Sequence, residues 1–126
     1  MDYEKIKRVY VAGKLNSNAI EYLNNVHKTL ESAEEVRLLG FAPYIPALDL
    51  LMGIKFGYNT YEDYFDSSQA WLLASDAVFL TPGWETSKGT GLEVALAEEH
   101  GIPVFENIED LQTYFEVFPN GDKTEI

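Results

Sequence analysis

Two short apolar runs, DAVFL at 76–80 and IPVF at 102–105, bracket a stretch with helical spacing. Between them lies GWETSKGTGLEVALA, residues 83–97, a glycine-rich segment feeding a mostly apolar helix. Strand, loop, helix and strand within roughly 30 residues make a βαβ unit. Its two strands must be parallel, because the crossover returns the chain to the same end of the sheet.

The rest of the chain repeats this alternation. RVYVAG (8–13) is rich in β-formers and ends at Gly13, as a first strand does. From 18 to 39, Ile20, Leu23, Val26, Leu30, Ala33 and Leu39 recur at helical spacing, with Asn18 and Glu21 as a cap-like start and Gly40 as a stop. FAPYIP (41–46) reads as a short second strand, and 47–59 as a short helix followed by a loop. Thr60 can cap a helix over 61–75, whose apolar side runs through Tyr61, Tyr64, Phe65, Leu72 and Ala74. The spacing predicts strands at 76–80 and 102–105, helices at 90–100 and 108–117, and a frayed tail from 120. Strands alternating with helices predict an α/β fold, a parallel sheet with helices on both faces.

At 126 residues the chain is long enough for one core and one domain. With a net charge of −12 it lacks the clustered Lys and Arg that nucleic-acid phosphates require. A small anion held by backbone amides and one or two cations stays possible. No stretch approaches the roughly 18 apolar residues of a membrane span, and MDYEKIKR has no apolar signal region. Zero cysteines exclude disulfides and thiolate metal sites and suit a cytoplasmic protein. No metal or cofactor is expected. The aromatics of GYNTYEDYF together with Trp71 exceed what one small core absorbs, which predicts a homo-oligomer.

In open α/β sheets ligands bind beyond the carboxyl ends of the strands. The loops at 13–18 and 81–89 lie there, and they face each other if their strands are neighbours. Stock motifs do not fit them. Gly89-x-Gly91 lacks the third glycine of a dinucleotide fingerprint, since Val94 stands there, and lacks the Gly-Lys-Ser/Thr ending of a P-loop. Ser87 is not in a nucleophile elbow. His27 and His100 read as surface or capping residues, and AEEH (97–100) as a solvated helix face. Glu93, by position alone, is an exposed acid in a helix first turn, favoured by the macrodipole. Its company points elsewhere: a carboxylate within the Ser87–Glu93 segment can attack an anomeric carbon, as in retaining glycosyl transfer.

The run VYVAG, the segment DAVFLTPGWETSKGTGLEVALA and the closing GIPV together resemble the nucleoside 2-deoxyribosyltransferase superfamily, over most of residues 8–105. Its small members share a Gly-Trp-Glu-x-Ser-x-Gly-x-x-x-Glu signature, which includes Trp84 here. The resemblance implies a flavodoxin- or Rossmann-like three-layer fold, a homo-oligomer, and a nucleoside or nucleotide as small-molecule partner. It implies that Glu93 is the nucleophile that displaces the base from C1′. Ser87 and Gly89 match residues that hold a 5′-phosphate, with Thr90 and Gly91 beside them. Gly13 and Lys14 match the first-strand loop, with Gly13 under the sugar or base.

Three positions depart from the pattern. Ser68 stands where the family carries an aspartate eight residues before Asp76, Lys14 where a proline commonly follows the glycine, and Ala47 where many relatives have histidine. The residues therefore leave three readings: a deoxyribosyltransferase or nucleotide N-glycosidase, a non-catalytic pocket for a nucleotide or ADP-ribose-like ligand, and an interaction domain on a relic scaffold.

Overall fold

The computed structural model describes residues 2–14, 19–48, 55 and 61–121. Four strands form one sheet: β1 (Arg8–Ala12), β2 (Ala42–Tyr44), β3 (Ala77–Leu80) and β4 (Val104–Phe105). Their order is β2-β1-β3-β4 and all three pairings are parallel, with Val9 opposite Ala77 and Val78 opposite Val104. The order reverses between β1 and β3, so the loops after those two strands diverge and leave a crevice. Asp76 ties the two strands together at their start: its carboxylate accepts from the Arg8 backbone N–H at 2.8 Å, and its own N–H donates to the Arg8 carbonyl.

Among the described residues, the helices α1 (Ala19–Leu38), α2 (Tyr61–Leu73), α3 (Lys88–Glu99) and α4 (Ile108–Val117) connect or follow the strands. Alternation along the strands sends successive side chains to opposite faces. Val9, Val11, Ala77 and Phe79 meet Ala33 and Val36 of α1 and Leu111 and Phe115 of α4. Tyr10, Ala12, Val78 and Leu80 meet Leu72 of α2 and Ala97 of α3. The result is a three-layer α/β sandwich with helices on both faces, as the alternation predicts, and of the flavodoxin- or Rossmann-like kind that the resemblance implies.

Most expected elements fall within two residues of their place, and α4 matches at both ends. The strand expected at 41–46 is confined to three residues by Pro43 and by the 3-10 turn Pro46–Leu48. Asn18, Thr60 and most of 47–59 lie outside the described residues. The α1 helix stands, but its buried stripe differs from the apolar spacing. Thr29, Ser32, Ala33 and Val36 are buried, while Ile20 and Leu23 are 75% and 55% exposed. The Thr29 hydroxyl donates to the Asn25 carbonyl at 2.9 Å, which lets a polar residue occupy the sheet-facing side at no unpaired cost.

A larger difference concerns the helix carrying Glu93. It begins at Lys88, two residues before the expected start, because Ser87 caps it. The Ser87 hydroxyl accepts from the Thr90 backbone N–H at 3.1 Å and lies 3.0 Å from the Thr90 hydroxyl. Gly89 is thus a helical residue, not part of the loop expected at 81–89, and Glu93 is in the second turn.

Candidate functional site

Glu93 is 8% exposed, not solvated as its position suggested. On the sheet-facing side of α3 it meets Tyr10, two residues before the end of β1, and the Tyr10 hydroxyl donates to Glu93 Oε2. Burial pushes the Glu93 carboxyl from an ordinary 4.5 up to about 7, against the opposing pull of the Tyr10 hydroxyl and the Gln69 carboxamide. Burial first, and the neighbouring Glu93 second, push the Tyr10 hydroxyl far above the usual phenol range. Tyr10 therefore stays a proton-bearing donor throughout the working range of the carboxyl.

Two α2 residues complete this cluster. Ser68 is buried beside the Tyr10 hydroxyl, and its own hydroxyl donates to the Phe65 carbonyl at 3.0 Å. Position 68 thus points into the cluster, and the next residue, Gln69, stands by Glu93. Both polar atoms of the Gln69 carboxamide are shut off from solvent, and neither makes a well-aligned hydrogen bond among the described residues, although the carboxamide lies close enough to Glu93 to favour its ionised form. On the other side, Tyr10 stacks on Tyr44 at 5.6 Å, and Tyr44 stacks on Trp71 at 5.6 Å. The rings lead from the buried carboxyl to a tryptophan that is 54% exposed.

The remaining sequence-expected residues fall around the crevice. Gly13 follows β1 so closely packed that a Cβ there would lie 2.9 Å from Thr81 Cβ and 3.1 Å from Thr29 Oγ1. Lys14 Nζ donates to Thr86 Oγ1 at 3.1 Å, joining the two loops that the sequence placed opposite each other. Trp84 anchors the second loop through Nε1–H to Glu106 at 2.7 Å, and Gly83 turns that loop with φ of 93°. Thr90 is buried under the helix start, and Gly91 has open space around it. His27 and His100 are exposed, with His100 Nδ1 at the Leu96 carbonyl.

Tyr10 and Gln69 were missed by motif reasoning. Tyr10 carried a signal: a tyrosine amid the buried run RVYVA needs a partner for its hydroxyl. Gln69 had none beyond its neighbour at 68. Together the cluster can hold an ionised carboxylate in one orientation above pH 7, and present a neutral carboxylic acid below it.

A family model described as a domain of unknown function (DUF4406) matches residues 7–106. No curated protein and no solved structure matches the chain. The matched span runs from just before β1 to just after β4 and includes Tyr10, Ser68, Gln69 and Glu93. This chain belongs to the DUF4406 family, and the buried carboxyl cluster lies within the part that defines it.

Proposed function

We propose that this protein is a nucleoside 2-deoxyribosyltransferase-like enzyme that cleaves or transfers the N-glycosidic bond of a deoxynucleoside or its 5′-monophosphate. The observation that supports this reading is the buried Glu93 carboxyl, held by the Tyr10 hydroxyl beside the β1/β3 crevice. A Glu93 oxygen bonds to C1′ as the C1′–N bond breaks, and the electron pair leaves with the base, which takes up a proton. Water or a second base then attacks C1′ and frees the carboxylate. Assembly as a homo-oligomer in the cytoplasm belongs to the same reading, with exposed Trp71 and Leu92 of α2 and α3 as the covered face.

A second reading, non-catalytic binding of a nucleotide or ADP-ribose-like ligand, is favoured by one observation. Among the described residues the buried cluster has a single carboxyl, and the hydroxyl at position 68 donates to a backbone carbonyl. Chromatography of free base released from deoxynucleosides and their monophosphates decides between the two. Release that disappears in Glu93→Gln supports the enzyme. Saturable binding without release supports the pocket.

A further inference from the structure

On the opposite face of the sheet from Glu93, α1 and the β3–α3 connection enclose a cleft of about 200 Å³. That is below the roughly 300–1,000 Å³ of pockets that take whole drug-sized ligands, and it suits a compact group. Lys14 and Lys28 line it, with Asn25, Thr86 and Thr81. Thr81 continues the alternation of β3 on the α1 side, is 2% exposed, and its Oγ1 has no hydrogen-bond partner among the described residues. Gly13 lies against this threonine, where a Cβ on Gly13 would come within 3.1 Å of the Thr81 hydroxyl.

The charges are as telling as the orphan hydroxyl. The chain has 21 acidic side chains against nine Lys and Arg. Even so, no carboxylate lines this cleft, and neither lysine has an ion pair among the described residues. Two cations kept clear of abundant acids, over a buried hydroxyl, are a receptor for an anion. Two positive charges with several neutral donors match a tetrahedral dianion better than a single carboxylate, and lysine serves phosphate as a point charge.

We propose that this cleft is a binding site for a phosphoryl dianion, held by Lys14, Lys28 and the Thr81 hydroxyl. It is separate from the Glu93 cluster and does not depend on the chemistry proposed there.

Isothermal titration of the full chain at low ionic strength tests it, with orthophosphate, a deoxynucleoside 5′-monophosphate and the parent deoxynucleoside as probes and chloride as the reference. Orthophosphate binding that Lys14→Ala and Lys28→Ala each weaken about tenfold, and isosteric Thr81→Val several-fold, is the expected result. Equal losses seen only for the nucleotide also support the site and identify the phosphoryl group it takes as that of a nucleotide. The exposed Lys28→Ala keeps the test decisive if Thr81→Val folds poorly. No phosphate or nucleotide binding above chloride overturns the proposal. So does phosphoryl binding that all three variants leave unchanged, which would put the anion elsewhere, at the Ser87 helix start for example. Base release is read separately, so its absence while phosphate binds counts against the enzyme and not against this cleft.

Discussion

Tyr10 and Glu93 stand 83 positions apart in sequence, and the phenol hydroxyl of one donates to the buried carboxyl of the other. The pair links the second layer of helices to the centre of the sheet, so chemistry and packing are coupled at one bond.

Tyr10→Phe should show that coupling. Without the donor the carboxyl loses an influence that lowers its pKa, so Glu93 should titrate above its present value of about 7. Above that pH the variant buries a poorly satisfied anion, and the stability loss should be about 1–3 kcal/mol. At pH 5, where the carboxyl is neutral in both proteins, the loss should be smaller. Urea denaturation at pH 5 and pH 8 measures the difference.

Glu93→Gln should change how stability depends on pH. The folded protein holds the Glu93 proton more tightly than the unfolded chain does, at about 7 against 4.5. The stabilisation is therefore complete below 4.5 and is lost as pH rises through 7. The gap corresponds to about 3 kcal/mol, as an order of magnitude. Subtracting the variant's curve from the wild-type curve should isolate a fall of that sign between pH 4.5 and 7, and at pH 8 the variant should be the more stable protein.

If Glu93 is the nucleophile, kcat/KM for base release should rise with pH through about 7 and level off above it, because the ionised form attacks. A rate that falls over this range would instead make Glu93 a proton donor.

Ser68→Asp puts a second carboxyl beside Tyr10. General acid–base assistance is worth roughly 10²–10⁴-fold, so turnover of a deoxynucleoside or its monophosphate should rise by at least tenfold. The same substitution should lower the melting temperature, since it buries an acid next to one already raised by burial. Turnover unchanged in a folded variant would mean that a missing acid at 68 does not limit the reaction.

In solution the chain should be a dimer or higher oligomer at micromolar concentration. Trp71 and Leu92 are both more than half exposed on the helices that flank the Glu93 cluster. Light scattering measures the mass, and Leu92→Glu should shift it towards the monomer.

The fold was legible because strand runs such as DAVFL and the α4 pattern obey local rules. The site was only partly so. Glu93 stood out by its segment, yet its burial depends on where α3 starts, and that is decided by one hydroxyl–amide contact from Ser87 to Thr90. Spacing alone put Gly89 in a loop and the glutamate in water. Tyr10 and Gln69 reach Glu93 through strand adjacency and helix docking, which no local pattern encodes. The α1 helix makes the same point in reverse: Thr29 and Ser32 face the sheet while Ile20 and Leu23 do not, because short polar side chains can bond back to their own helix.

Among the described strands, the outermost are β2, three residues long with Pro43 at its centre, and β4, two residues long. Proline offers no N–H, and so short a margin gives an incoming strand little to pair with. In the homo-oligomer proposed above, a second copy would thereby be steered away from extending the sheet and towards docking through helices. Each subunit would then keep its own ladder intact, and association could be strengthened or lost by surface substitution without disturbing the strands that carry Tyr10.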